Sequence, residues 1–200
     1  MNSRGEERLK RAGTEPNRVL RRLWLVAAID AIVERPVFLV GGAAVDLHTG
    51  GYEPTDVDIV GVVTTDDLRA LVEAGFLETG GRHLRWEYPD GTSEFVEFPG
   101  STLDGTFEQI ELAEGILVNI IDVESLVIDR ISQATDGSGV TFDEALRLIV
   151  ATANRVDWSS VATSIRARPD ARYLGRIEKA HELLIAARMP AVATTHFESL

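Results

Sequence analysis

The run FLVGGAAVDLHTGGYEPTDVDIVG, residues 38–61, constrains this chain more than any other stretch. Two aspartates, Asp56 and Asp58, stand one residue apart in a pattern that otherwise reads as a buried strand. Aspartate is among the poorest strand formers, and burying an ionised carboxylate without a partner is expensive. Strand alternation puts both aspartates on one face, with Val57 and Ile59 on the other. Like charges that close oppose each other's ionisation unless a cation neutralises them. Hard cations such as Mg²⁺ bind through one or two carboxylates and fill their remaining positions with water or substrate phosphates. The pair is therefore a metal platform, or else a solvent-exposed strand end. Upstream, Gly41-Gly42 lies between a predicted strand and a predicted helix. Glycine lets the backbone come close to a ligand, and a helix amino terminus offers free N–H groups to an anion. An ordinary tight turn would use the same two residues. Together, an anion-binding turn and a carboxylate platform within one strand–helix–strand unit meet the needs of a nucleoside triphosphate site.

The rest of the chain arranges itself around this unit. Apolar positions at helical spacing (Val19, Leu20, Leu23, Val26, Ile29) predict a helix from about Pro16 to Glu34, stopped by Pro36. Thr64 or Thr65 caps a helix through DDLRALVEA that ends at Gly75. HLRWEY and SEFVEF alternate around PDGT, a hairpin signal, and FEQIEL with ILVNII extends the strand-rich region. From Asp122 onward the pattern is helical, with start signals at Asp122, Thr141 and Pro169, and a loose tail follows Met189. The expected class is α+β: a small mixed sheet core with an amino-terminal helix and a helical carboxy-terminal region. The expected boundaries are 1–36 for the first helix, 37–121 for the core, 122–190 for the helical region and 191–200 for the tail.

Composition excludes several functions. No cysteine occurs, so neither a disulfide framework nor a thiolate metal site is available. No run of about 18 apolar residues suggests a membrane span, and the charged start MNSRGEERLKRAG does not read as a signal peptide. A cytoplasmic protein without membrane partners is expected. The net charge of −12 argues against broad nucleic-acid binding, which needs Lys and Arg against phosphates. Basic residues nevertheless gather at both ends, among them Arg8, Arg18, Arg21, Arg22, Arg166 and Lys179. They form solvated helix faces, or they flank one cleft and guide a polyanion to it.

The stretch VGGAAVDLHTGGYEPTDVDIV resembles the nucleotidyltransferase superfamily related to DNA polymerase beta, over residues 37–98. That pattern is a Gly-Gly or Gly-Ser turn, a short helix, DxD on the next strand and a third carboxylate on a later one. The details look like the stand-alone branch of minimal nucleotidyltransferases, antibiotic-modifying enzymes and AbiEii-type toxins, many of them in toxin–antitoxin pairs. The resemblance implies transfer of a nucleoside monophosphate from an NTP to a hydroxyl on RNA (tRNA included), a protein or a small molecule, with a cognate toxin or antitoxin as partner. It implies two Mg²⁺ or Mn²⁺ ions on Asp56, Asp58 and Glu97 as the catalytic and metal-binding set, with Glu94 as the fallback for the third position. Gly41, Gly42, Ala43, Thr55 and Arg130 are expected near the phosphates, although Arg130 would serve equally as a surface residue. Two departures stand out. Ala43 occupies a position where many relatives have Ser or Thr, and Glu53 one where many have Arg or Lys. These leave open a second reading, a catalytically decayed binding module that acts through a partner protein.

Other signals are weaker. Asp46 on the short helix orients an acceptor or faces solvent. The four histidines, His48, His83, His181 and His196, show no zinc spacing. No serine sits in a GxSxG context.

Overall fold

The strand that carries the two aspartates lies at the centre of a mixed sheet. In the computed structural model, which describes residues 3–167 and 173–198, the strands in chain order are β1 (Phe38–Val40), β2 (Asp56–Val60), β3 (Leu77–Gly80), β4 (His83–Glu87), β5 (Ser93–Glu97), β6 (Phe107–Ala113) and β7 (Ile116–Ile121). Side by side they run β3-β4-β5-β2-β1-β7-β6. β1 pairs antiparallel with β2 and parallel with β7, and β2 pairs parallel with β5. The fold is α+β. By compactness the chain divides into one unit of Met1–Leu47 and Gly51–Ile121, and another of His48–Gly50 and Asp122–Leu200.

Alternation gives the sheet two unlike faces. Leu39, Val57, Ile59, Val96 and Ile120 are register neighbours on one face and are fully buried. Asp56, Asp58, Phe95 and Glu97 alternate with them and are half-buried or exposed. Two features of this unit go beyond the sequence reading. The expected amino-terminal helix is a pair, α1 (Ser3–Thr14) and α2 (Arg18–Val33). α1 is amphipathic, but its buried stripe of Gly5, Leu9 and Ala12 holds a single large apolar side chain. It packs so closely that a Cβ at Gly5 would come within 2.5 Å of Ile32. α2 is capped by Asn17, whose side chain accepts from the Leu20 N–H at 3.1 Å. The other feature is β3, an exposed edge strand with no apolar alternation and a bulge between Glu78 and Gly80.

Two further helices belong to the sheet region: α3 (Gly41–Thr49), and α4 (Thr65–Glu73) with a capping box between Thr64 and Asp67. The helical unit holds α5 (Val123–Gln133), α6 (Gly139–Thr152), α7 (Trp158–Arg166), α8 (Tyr173–Ala186) and α9 (Ala191–Thr194). Asp122 caps α5 by accepting from the Ser125 N–H at 2.8 Å. α6 begins two residues before the expected Thr141, because Ser138 supplies the cap. The start signal at Pro169 lies outside the described residues. The expected loose tail is in part structured: α9 is followed by a 3₁₀ turn whose Phe197 is buried edge-on to Trp158, centroids 6.4 Å apart.

Candidate metal and nucleotide site

Pairing of β2 with β5 assembles the acidic cluster. Asp58 is the register partner of Glu97, and Asp56 is the partner of Phe95. One carboxylate oxygen from each of Asp56, Asp58 and Glu97 lies within 4.8 Å of the others, and all three side chains are half-buried. Three hard oxygen donors that close fit Mg²⁺ or Mn²⁺ and disfavour softer metals. Without a cation they repel one another.

The glycine turn is built against this cluster. β1 places Val40 opposite Asp58, so Gly41 follows directly beside the carboxylate. Gly41 has φ +66°, and a Cβ there would come within 2.7 Å of the Asp58 Cγ. Both the backbone conformation and the space demand glycine. The packing of Asp58 thus requires the first glycine before any ligand is considered. At Gly42 a Cβ would meet Tyr52 at 2.9 Å and Pro54 at 3.2 Å, so the segment leading into β2 folds back over the first turn of α3. Those N–H groups are the ones a helix start offers to phosphate oxygens.

Beneath the site lies a buried charge cluster that no sequence pattern announced. Arg22 of α2 donates from Nε to Glu94 at 2.9 Å and from Nη1 to Asp46 at 3.1 Å. All three residues are buried. Burial pushes the Glu94 and Asp46 carboxyls up from their ordinary values, and the Arg22 charge pulls them part of the way back. Asp46 therefore neither faces solvent nor reaches an acceptor: it ties α3 to Arg22. Glu94, the fallback third ligand, is committed to the same guanidinium, whereas Glu97 stands with the aspartates. The only sequence signal is an arginine opening the run Arg22–Ile29, all of which is buried.

The other expected phosphate contacts are distributed unevenly. Ala43 is buried in α3 and Thr55 is exposed in the turn before β2. Glu53, the acidic departure, receives a hydrogen bond from Arg18 of α2, which holds its carboxyl below the ordinary range. A cation thus stands at this loop after all, supplied from a distant helix. Arg130 belongs to the helical unit and is buried, with its guanidinium bonded to Asp129 at 2.7 Å and Glu144 at 3.2 Å. The amino-terminal basic residues divide: Lys10, Arg11 and Arg18 lie on exposed helix faces as expected, whereas Arg22 is buried. Arg8, Arg18, Arg21 and Arg22 are each paired with a carboxylate. His83 is a register partner of Glu97, with Nε2 3.7 Å from its carboxylate.

No protein-family model and no curated protein matches the sequence, but solved structures do. An antigenic nucleotidyltransferase-like protein from Paracoccidioides brasiliensis superposes with a TM-score of 0.53 at 16% identity, over 89% of this chain and 96% of that one. The fold is nucleotidyltransferase-like. The antibiotic-resistance factor ANT(2'')-Ia aligns with a TM-score of 0.49 at 18% identity, over 82% and 97% of the two chains. At such identities the likeness describes the backbone, and the chemistry must be argued from the residues.

Proposed function

We propose that this protein is a divalent-metal-dependent nucleotidyltransferase that moves a nucleoside monophosphate from an NTP to a hydroxyl on RNA, a protein or a small molecule. The observation that carries this reading is the convergence of Asp56, Asp58 and Glu97 beside the Gly41 turn. Asp56, Asp58 and Glu97 would hold Mg²⁺ or Mn²⁺, which when bound supplies charge neutralisation to the triphosphate and the attacking oxygen. The backbone at Gly41, Gly42 and Ala43 orients the phosphates at the start of α3, and Arg18 neutralises the Glu53 carboxylate at the rim. An acceptor oxygen forms a new bond to the α-phosphorus, the bond to pyrophosphate breaks, and the hydroxyl proton is released. Positioning and electrostatics carry most of the catalysis in such reactions.

The motif resemblance supports a stand-alone, AbiEii-like enzyme working in the cytoplasm within a toxin–antitoxin or defence pair. Among the described residues no helix is long and apolar enough to cross a membrane. The second reading, a decayed site acting through a partner protein, draws on Ala43, which has no hydroxyl, and on the Glu53 carboxylate at the loop.

The direct test supplies α-labelled NTPs and Mg²⁺ with total RNA, protein extract and small-molecule pools. Label appearing in one fraction together with free pyrophosphate supports transfer. The absence of both from a folded protein that still binds NTP favours the decayed module.

A further inference from the structure

The open sheet face continues outward from the acidic cluster across β5, β4 and β3. Asp56, Phe95, Arg85 and Leu77 form one cross-strand row, and Asp58, Glu97 and His83 form the row beside it. Adjacent strands lie about 4.8 Å apart, so the Phe95 ring stands one strand from Asp56 and Arg85 one strand further. Phe95 is 47% exposed and Leu77 is 42% exposed. The residues flanking Phe95 in β5, Glu94 and Val96, are buried on the opposite face. An exposed aromatic in the middle of a sheet, two residues from a metal-binding carboxylate, needs a reason.

Arg85 lies at its far side. The guanidinium donates to the exposed Glu87 at 2.7 Å, and its Nε is shielded from solvent with no hydrogen-bond partner among the described residues. An exposed ion pair of this kind adds little stability, so Glu87 gives way readily to a stronger anion such as a phosphate. Carboxylate cluster, ring and guanidinium therefore follow one another along a line, with the ring in the middle. A planar base fits the ring, an attached phosphate fits the guanidinium, and a sugar hydroxyl then falls toward Asp56 and Glu97.

We infer that Phe95 and Arg85 form a stacking shelf that selects a nucleotide as the hydroxyl acceptor, the terminal nucleotide of a single strand. The inference rests on the transferase reading and narrows it. Charge favours this occupant over a polycationic small molecule, because the residues beyond the cluster on this face include Arg85 and His83, and the carboxylates nearest them, Glu87 and Glu97, are engaged by Arg85 and His83 respectively. The overall charge of −12 sets the scale of recognition. Long phosphate tracts are disfavoured, so binding comes from one or two stacked bases and depends little on strand length.

Fluorescence anisotropy of 5′-fluorescein hexanucleotides, one ribo and one deoxyribo, tests the shelf on the wild type, Phe95→Ala, Phe95→Leu and Phe95→Tyr. Loss of one base stack weakens binding by about 5- to 150-fold. The expected result is that the wild type binds at least one hexamer, Ala and Leu lose affinity in that range, and Tyr retains it. The Leu variant preserves apolar bulk and guards against misfolding of the Ala variant, and preference for one hexamer tells an RNA acceptor from a DNA acceptor. Equal binding by wild type and Phe95→Leu, or no binding of either hexamer by the wild type, overturns the shelf. Mg²⁺–ATP titration of the same preparations reads the transferase half separately. ATP bound without either hexamer leaves transfer standing and removes the shelf, whereas Phe95-dependent hexamer binding without ATP does the reverse.

Discussion

Gly41 shows how closely one residue can be specified. Its φ of +66° lies where side chains are strained, and the Asp58 carboxyl occupies the volume a Cβ would need. Gly41→Ala must therefore displace either the turn or the carboxylate. The expected cost is about 1–3 kcal/mol of stability, measured by urea denaturation, with loss of metal-dependent nucleotide binding. At Gly50, where φ is +64° but nothing lies within 4 Å, alanine should cost stability by strain alone and leave binding intact. This contrast separates crowding from backbone preference. Gly41, Gly42, Asp56 and Asp58 were legible in the sequence because they sit within one short local unit with a strict alternation. Glu97 was legible, ahead of Glu94, through the family resemblance, in which an acid flanked by apolar residues, here Val96 and Phe98, supplies the third carboxylate. Arg22, Phe95 and the Arg18–Glu53 pair were not, since their meaning depends on which distant strand or helix they face, and local periodicity carries no information on that.

Among the elements, α2 is the one that fastens the site. Arg18 reaches the loop before β2, Arg21 reaches the β4–β5 turn, and Arg22 reaches α3 and β5. Removing Arg22 leaves two buried carboxylates facing each other without a cation. Breaking a buried pair in this way costs roughly 3–5 kcal/mol, so Arg22→Met should lower the urea midpoint sharply. Glu94→Gln, which keeps a hydrogen-bond acceptor, should be milder. The turn makes a separate prediction in acid. Asp90 accepts from Thr92 and Arg21, and these bonds hold its carboxyl down to about 2. A carboxylate with a depressed folded-state value stabilises the fold above its unfolded value near 4 and loses that contribution as pH falls through about 2. Asp90→Asn should therefore be less stable than wild type at neutral pH, with the difference closing between pH 4 and 2 when unfolding is followed by circular dichroism. The element-level misses have the same root. α1 buries only one large apolar side chain, Leu9, and β3 buries none, so each depends on the neighbour it packs or pairs with.

Across the whole molecule, an acidic chain gathers its candidate site on one sheet face. A tetra-anionic nucleotide and a net charge of −12 are compatible only if cations neutralise the contact, and most described amino-terminal arginines are already spent on structural pairs. Nucleotide binding should therefore be strictly metal-dependent, more so than in a site rich in free lysine and arginine. A fold shared at 16% identity with a nucleotidyltransferase-like protein does not by itself decide activity: the backbone provides the turn and the strands, and a metal would depend on the three carboxylates. The most direct test is calorimetric titration of ATP, GTP, CTP and UTP, with and without Mg²⁺, into wild type and Asp58→Ala. At least one nucleotide should bind the wild type only when Mg²⁺ is present, and Asp58→Ala should abolish this binding while remaining folded. Binding that persists without Mg²⁺ or in Asp58→Ala, or a folded wild type that binds none of the four, would contradict the metal-dependent nucleotidyltransferase reading.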